Sequence, residues 1–153
     1  MQVNKGGKTM NRVYVNEDWC LGCHLCEYNC SFANSGETSM VKAFSNDKKT
    51  TPRIVVEEGQ GINFAVQCRH CSDPACVKGC IAGALSITDG IIHTDDTKCV
   101  GCYTCVLLCP YGCIVTDNEK VIKKCDLCTS NANTIPACVT ACPNAAIVFE
   151  ERS

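Results

Sequence analysis

Short apolar runs separated by turn residues make up most of the hydrophobic pattern of this 153-residue chain. Two of these runs, residues 84–88 and 91–94, flank the pair Asp89-Gly90. Because Asp-Gly favours a type I′ turn between apolar strands, this pattern predicts a β-hairpin. Similar runs predict further strands at residues 12–15, 114–116 and 146–149.

A second hairpin is predicted within residues 31–67, a stretch without cysteine. Its arms are residues 53–57 and 62–66, and the second arm alternates apolar and polar side chains, as a half-buried strand does. The segment Gly59-Gln60-Gly61 predicts the turn between them. A short helical segment is predicted before this hairpin, at residues 39–44.

Cysteines are the chemically most informative residues, because sixteen of the seventeen fall into four groups of four. Three closely spaced thiolates can wrap one iron–sulfur cube, and the fourth can serve a neighbouring cube. At four ligands per cluster, the sixteen ligands predict four [4Fe–4S] clusters and therefore one-electron transfer. Group one is Cys20, Cys23, Cys26 and Cys30; group two is Cys68, Cys71, Cys76 and Cys80; group three is Cys99, Cys102, Cys105 and Cys109; group four is Cys125, Cys128, Cys138 and Cys142.

The groups form an internal repeat. WCLGCHLC at residues 19–26 aligns with KCVGCYTC at residues 98–105, and PACVKGC at 74–80 aligns with PACVTAC at 136–142. Groups one and three are thus of one type, and groups two and four of another. This pattern indicates a duplicated two-cluster unit and predicts pseudo-twofold symmetry.

Zinc binding and a disulfide framework are the alternatives for so many cysteines. A Cys₄ zinc site needs two Cys-x-x-Cys pairs that come together, whereas groups one and three each place four cysteines within eleven residues. Cys109-Pro110 and Cys142-Pro143 also match the end of the bacterial ferredoxin motif. We therefore interpret the sixteen cysteines as iron ligands.

Charge argues against a nucleic-acid partner. The formal net charge is −2, and about −2 for each oxidised cluster would bring the loaded protein to about −10. The basic pairs Lys48-Lys49 and Lys123-Lys124 are interpreted as solvated surface. No apolar segment follows Met1 and no run reaches the roughly 20 residues of a membrane span, so we expect a cytoplasmic protein without a signal peptide or a direct membrane span. Export bound to a signal-bearing partner stays open.

Four further residues are candidates for a functional role. Cys113 lies outside the groups and is interpreted as a packing residue, since buried cysteine behaves as a small hydrophobe. His24 and His70 lie within cluster loops and are interpreted as loop surface, and His93 as an ordinary strand residue. The alternative for His24 and His70 is tuning of cluster potentials. No nucleophile with a base and no nucleotide-binding fingerprint is present, so the chain is not expected to be an enzyme.

The sequence resembles the four-cluster ferredoxin-type subunits of molybdenum and tungsten oxidoreductases, such as those of dimethyl sulfoxide reductase, formate dehydrogenase and formate hydrogenlyase. CLGCHLCE at residues 20–27, CRHC at 68–71 and KCDLC at 124–128 are typical of the members that accompany aldehyde oxidoreductases and carbon monoxide dehydrogenases in anaerobes. The resemblance covers nearly the whole chain. It implies an α+β fold of two fused bacterial-ferredoxin-like lobes with an inserted β-hairpin.

The resemblance also implies how the groups pair. Lobe one would comprise residues 10–35 and 120–150, lobe two residues 66–119, and the insert residues 36–65. The implied ligand sets are Cys20, Cys23, Cys26 and Cys142; Cys125, Cys128, Cys138 and Cys30; Cys68, Cys71, Cys76 and Cys109; and Cys99, Cys102, Cys105 and Cys80. The repeat alone also permits sequential pairing, group one with two and group three with four.

By the same resemblance, the partner is a catalytic metalloenzyme subunit, of the tungsten aldehyde oxidoreductase or carbon monoxide dehydrogenase type. The external carrier would be a ferredoxin or a flavoprotein. We expect the insert and the segment 40–44 to form part of the interface with the catalytic subunit; the alternative is that the hairpin merely covers the cluster lobe. A free ferredoxin and an iron–sulfur enzyme acting on a small substrate are the alternative functions.

Overall fold

Two-stranded antiparallel sheets and short helices make up the fold. The computed structural model describes residues 10–45, 47, 49–131 and 133–152. The strands are β1 Arg12–Val15, β2 Ile54–Gly59, β3 Ile62–Gln67, β4 Leu85–Thr88, β5 Ile91–Thr94, β6 Val115–Thr116, β7 Ile122–Lys123 and β8 Ile147–Glu150. The helices are α1 Leu25–Ala33, α2 Met40–Ser45, α3 Ala75–Lys78, α4 Thr104–Leu108 and α5 Ala137–Ala141, with a 3₁₀ turn at Thr129–Asn131.

Two sequence expectations concern residues outside the described ranges. Lys48 was expected to be solvated, and residues 1–9 were expected to carry no signal peptide. Lys49, which is described, is exposed. Among the described residues, no helix has the length and apolar character needed to cross a membrane.

Local turn chemistry forms the hairpins. Strands β4 and β5 pair around Asp89 and Gly90, whose φ angles of 51° and 77° are those of a type I′ turn, so this hairpin is confirmed. Strands β2 and β3 also pair as predicted. Their turn is shorter than expected: Gly59 ends β2, and only Gln60 and Gly61 form the turn, with φ angles of 52° and 82°.

Pairing of β1 with β8 joins the two ends of the described chain. Arg12 lies opposite Glu150 and Val15 opposite Ile147. Beyond the ladder, the backbone N–H of Asn16 donates to the carbonyl of Ala146 at 2.8 Å. Because β1 leads into group one and β8 follows group four, this sheet places those two groups side by side.

Packing, rather than intrinsic helicity, stabilises the helices. Among the described residues, the longest helix is α1, with nine residues, and the other α-helices have four to six. Isolated helices below about 12 residues are marginal in water. Helix α1 packs on α5, and α3 packs on α4. Each of these helices carries cysteines of a different group.

Most of the buried apolar residues form two cores, and both contain cysteine. Core one is Val13, Cys26, Cys30, Ile54, Val56, Ala65, Leu127, Cys138 and Ile147. Core two is Cys76, Leu85, Ile92, Cys105, Ile114 and Ile122. The division into two ferredoxin-like lobes with pseudo-twofold symmetry stays a prediction, and the two cores are the feature that supports it.

Core one includes part of the insert. Ile54, Val56 and Ala65 of the second hairpin are buried in core one beside Cys26 and Cys30. The hairpin therefore packs against the cysteine-bearing helix α1. A docking role for this region stays a prediction, and Met40, Val41 and Phe44 of α2 are among its exposed residues.

One packing contact bears on the expected boundary between the lobes, which stays a prediction. Residue 120 lies between β6 and β7, which pair with each other, and Ile122 of β7 is buried in core two. The segment that packs with core two thus extends past residue 119, to Ile122–Lys123.

Candidate functional site

Loops of group one and group three share a backbone conformation. Gly22 and His24 have φ angles of 64° and 59°, and Gly101 and Tyr103, at the equivalent positions, have 68° and 58°. In both loops the helix begins at the next residue. A Cβ at Gly101 would lie 2.4 Å from the carbonyl oxygen of Lys120, so glycine is required there. The sequence repeat thus extends to the backbone.

Groups two and four each present a cysteine on a short helix that follows a proline. Pro74 precedes α3, which carries Cys76, and Pro136 precedes α5, which carries Cys138. Proline suits this position because its missing N–H has no partner in the first helical turn. Both cysteines are buried against the cores described above.

Thiols of group four lie beside the last cysteine of group one. Burial raises the pKa of Cys138, and the nearby Cys125 and Cys30 raise it further. Burial likewise raises the pKa of Cys30, and Cys128 adds to that effect. Thiols influence one another in this way only when they are close together. Cys142, at the end of α5, packs against the core that contains Cys26.

Groups two and three interlock in the same manner. Burial raises the pKa of Cys105, with Cys80 adding to the effect. Cys80 also lines a hollow together with three cysteines of group three, Cys99, Cys102 and Cys105. Burial raises the pKa of Cys76, Lys124 opposes this, and Cys68 and Cys109 reinforce it. In both cases the last cysteine of one group lies with the leading cysteines of the other.

Backbone N–H groups are directed at several of these sulfurs. Such bonds stabilise a thiolate and raise the reduction potential of a cluster bound to it. The bonds run to Cys30 Sγ from Arg53 at 3.2 Å, to Cys68 Sγ from His70 at 3.4 Å, to Cys80 Sγ from Ala84 at 3.3 Å, and to Cys125 Sγ from Leu127 at 3.4 Å. These four sulfurs belong to three of the four predicted ligand sets, because Cys30 and Cys125 share one.

Burial makes these thiols poor acids without a metal. It raises the pKa of both Cys26 and Cys125 to about 12, so neither ionises appreciably near neutral pH. Coordination to a cation reverses this, because a bound metal deprotonates its thiol ligand. Within the described residues, no three His, Cys, Asp or Glu side chains converge on a point suited to one metal ion. The four thiolates of a cube bind four different irons and need no such point. The donor set fits iron–sulfur clusters.

The profile of the family described as "4Fe-4S dicluster domain" matches residues 60–152, which contain groups two, three and four. The chain belongs to this family. It is a ferredoxin-type iron–sulfur electron-transfer protein, and it binds more than one [4Fe–4S] cluster.

Relatives that this chain matches over most of its length include iron–sulfur and electron-transport proteins. An "Iron-sulfur protein" of Rhodospirillum rubrum is 38% identical over 150 residues, covering 88% of this chain and 79% of the relative. "Electron transport protein HydN" of Escherichia coli K12 is 33% identical, with 94% and 90% covered. A sulfite dehydrogenase subunit of Allochromatium vinosum is 33% identical, with 92% and 68% covered. The chain spans only about a fifth of two other relatives, the E. coli putative oxidoreductases AegA and UacF.

The two loop histidines of this iron–sulfur protein differ in environment. His24 is partly exposed, and its ring nitrogens pair with Glu27 at 2.8 Å and Glu58 at 2.9 Å. The hydrogen bond to Glu27 is the largest cause of its raised pKa. Since Glu27 also accepts the N–H of Val56 at 2.6 Å, His24 links the group one loop to the second hairpin.

For His70 the surface interpretation is wrong. Only 1% of the residue is exposed, and its Nδ1 accepts the backbone N–H of Ile92 at 3.0 Å. Burial, together with a smaller effect of the nearby Lys124, lowers its pKa to about 3. Its Nε2 is buried and has no partner among the described residues. A buried polar atom of this kind, between Cys68 and Cys71, fits a neighbouring cluster sulfur.

Lys124 is likewise buried, with 2% of the residue exposed, so the solvated-surface interpretation is wrong for it. Lys123 is half-buried and pairs with Asp96 and Asp117. No signal in the sequence separates the two lysines. Their different burial arises from packing of the group four loop against β5.

Cys113 lies beside the ligands of group two but bonds to the backbone. It is 4% exposed, its thiol donates to the carbonyl of Gln67 at 2.9 Å, and burial raises its pKa to about 12. Its environment agrees with a packing role.

We expect Cys113→Ala to leave the iron content and the spectra of the reduced protein unchanged. The substitution removes one hydrogen bond and little volume, and should lower the free energy of unfolding by about 1 kcal/mol. Cys102→Ala, the comparison variant, should lose or convert one cluster. Loss of a whole cluster from Cys113→Ala would show that the ligand assignment is wrong.

Proposed function

We propose that the protein carries four [4Fe–4S] clusters and relays single electrons between a catalytic oxidoreductase subunit and an external carrier. When bound, each cluster takes up and releases one electron. The observation that carries the proposal is the interlocking of the groups: the last cysteine of one group lies among the leading cysteines of its partner. This arrangement is how paired clusters share ligands in two-cluster ferredoxins.

The proposed ligand sets are those that the resemblance implies. In each half, two clusters are held by the helix pair that packs together, α1 with α5 and α3 with α4. The sets are Cys20, Cys23, Cys26 and Cys142; Cys30, Cys125, Cys128 and Cys138; Cys68, Cys71, Cys76 and Cys109; and Cys80, Cys99, Cys102 and Cys105.

A relay needs an accessible ligand at each end. Among the described cysteines, only Cys23 and Cys102 are exposed. These two occupy equivalent positions in the repeat but belong to opposite halves. Exposed apolar side chains flank both, Leu21 near Cys23 and Val100 near Cys102. Each end thus offers an apolar surface beside a solvent-accessible ligand, as a docking site for a redox partner requires.

The proposed partner at one end is a catalytic metalloenzyme subunit. The name of the Allochromatium relative, which describes one component of a sulfite dehydrogenase, supports a role within a larger enzyme. The motifs of groups one, two and four favour a tungsten aldehyde oxidoreductase or a carbon monoxide dehydrogenase as the catalytic subunit. A ferredoxin or flavoprotein would be the carrier at the other end, and a cytoplasmic location is part of this proposal.

A free electron carrier is the second candidate. The chain covers 90% of HydN, whose name describes an electron transport protein without reference to an enzyme. Purification of the untagged protein from its host without oxygen separates the two functions. A relay subunit should elute with a large metalloenzyme, whereas a free carrier should elute near its own mass of 16.5 kDa.

We expect the fully loaded protein to contain about sixteen iron and about sixteen acid-labile sulfide per chain. The count follows from four cysteines per cluster and sixteen grouped cysteines. Iron and sulfide analysis of anaerobically purified protein, normalised by amino-acid analysis, measures it. About eight iron per folded chain, or zinc in place of iron, would contradict the four-cluster proposal.

A further inference from the structure

A single residue of β5 connects the two halves of the protein. The N–H of Ile92 donates to Nδ1 of His70, in the group two loop, at 3.0 Å. Its carbonyl accepts from Nζ of Lys124, beside group four, at 3.1 Å. Strand β5 pairs with β4 on its other edge. The free edge of β5 is therefore occupied by side chains from two different cysteine groups.

A second cation crosses the same boundary. The guanidinium of Arg12, on β1, donates to the carbonyls of Arg69 and His70 in the group two loop. Nearby, the side-chain amide of Gln67 donates to the carbonyl of Val13 at 3.0 Å. Arg12, on β1, and Lys124, beside group four, thus bring two positive charges to the group two loop. We call this boundary the basic seam.

Lys124 is the buried charge of the basic seam. Its ammonium also donates to the carbonyl of Cys125 at 3.0 Å, so two of its three donors bind backbone oxygens. Within the described part of the chain, no carboxylate lies within ion-pair distance of it. The adjacent Asp126 is paired with Arg53, at 3.3 Å. Because a buried ammonium is costly unless negative charge lies near it, Lys124 requires another anionic partner.

Backbone groups tied to both cysteine groups hold this charge. The carbonyl of Cys125, in group four, accepts from Nζ of Lys124 at 3.0 Å. The carbonyl of Ile92 accepts from the same Nζ at 3.1 Å, and the N–H of Ile92 donates to His70, which lies between Cys68 and Cys71 of group two. Group two and group four therefore approach each other at Lys124. Clusters bound there, each carrying about −2 in the oxidised form, would supply the missing negative charge.

We propose that the ammonium of Lys124 is a fixed positive charge between two clusters, the one in the set containing Cys68 and the one in the set containing Cys125, here called the inner clusters. The charge raises the reduction potentials of both, so that an electron can cross between the halves. The proposal rests on the proposed function, because it requires clusters at the sets containing Cys68 and Cys125. An added electron makes a cluster more negative, and a nearby cation stabilises that state. Without the cation, each inner cluster would be reduced against the unopposed charge of the other.

The test compares three variants of the loaded protein by redox titration followed by electron paramagnetic resonance. Lys124→Gln removes the charge but keeps a donor, and Lys124→Arg keeps the charge. Lys123→Gln is the matched control, because the charge of that adjacent lysine is already paired with Asp96 and Asp117. Iron and sulfide are measured for every sample.

In Lys124→Gln we expect the reduced-to-oxidised ratio of two clusters to fall about tenfold at a fixed potential, equivalent to about 59 mV for a one-electron couple. Lys124→Arg and Lys123→Gln should titrate like the wild-type protein. If Lys124→Gln keeps its iron and all its potentials are unchanged, the proposal is overturned and Lys124 serves only to join the halves. An equal shift in Lys123→Gln would also overturn it.

A fourth variant tests the proposal if Lys124→Gln does not assemble with its clusters. Arg12→Gln removes the other cation of the basic seam, and we expect a smaller shift in the same direction. Unchanged potentials in this variant would contradict an electrostatic role of the seam. Failure of the proposed function is a different result, since the wild-type protein would then lack its full iron content before any variant is compared.

Discussion

Removal of iron by a chelator under anaerobic conditions is expected to abolish the cooperative thermal unfolding transition of the protein. Both cores contain cysteines as buried members, including Cys26 and Cys138 in core one and Cys76 and Cys105 in core two. In the part of the chain that the structure describes, the helices have nine residues or fewer and each sheet has two strands. Elements this small are not stable alone, and only 6% of the residues are aromatic. Without clusters, the remaining apolar burial cannot offset the chain entropy.

Circular dichroism and scanning calorimetry of the loaded and iron-free protein measure this effect. The expected result is a sigmoidal transition for the loaded form and none for the iron-free form. Rebuilding the clusters with iron and sulfide should restore the transition, which controls for irreversible damage. A cooperative transition that persists after complete iron removal would show that the polypeptide alone forms the cores.

Hairpins were predictable because their signals are local. Asp89-Gly90 specifies a two-residue turn between apolar arms, and β4 and β5 begin and end within one residue of the predicted positions. The arms of the second hairpin were equally clear. Its turn was one residue shorter than expected, because Gly59 takes the extended conformation and only Gln60 and Gly61 have positive φ.

Contacts between distant segments were not predictable from local patterns. The pairing of Arg12 with Glu150 joins opposite ends of the described chain. The hydrophobic pattern of β1 does not indicate that β8 is its partner, and that of β8 does not indicate β1. The burial of His70 and Lys124 has the same origin. In the sequence, His70 is a loop histidine and Lys124 is the second member of a basic pair. Both side chains bond to Ile92 at the free edge of β5, which no local pattern indicates.

Cysteine spacing made one part of the site predictable and left another part undetermined. It sorts sixteen cysteines into four groups and indicates the chemistry, because a cluster imposes its own geometry on a short loop. Spacing does not determine which group shares ligands with which. That depends on helix packing, α1 with α5 and α3 with α4, and on the sheet formed by β1 and β8.

Paired cysteine substitutions are therefore expected to distinguish nested from sequential ligand sharing. In the nested arrangement Cys30 and Cys128 serve one cluster, as the influence of Cys128 on the pKa of Cys30 supports. The double variant Cys30→Ala/Cys128→Ala should then lose no more than either single variant, about four iron. Cys30→Ala/Cys76→Ala removes ligands of two clusters and should lose about eight.

Sequential sharing predicts the reverse, because group one would then share its clusters with group two. Iron analysis, with resonance spectra to count the remaining clusters, separates the two arrangements. Cys113→Ala combined with Cys30→Ala is the matched control, since it also removes two buried thiols but only one ligand. A smaller loss from the Cys30/Cys76 pair than from the Cys30/Cys128 pair would reject nested sharing. The basic seam would then separate different clusters from those proposed, because Cys68 and Cys125 would belong to other ligand sets.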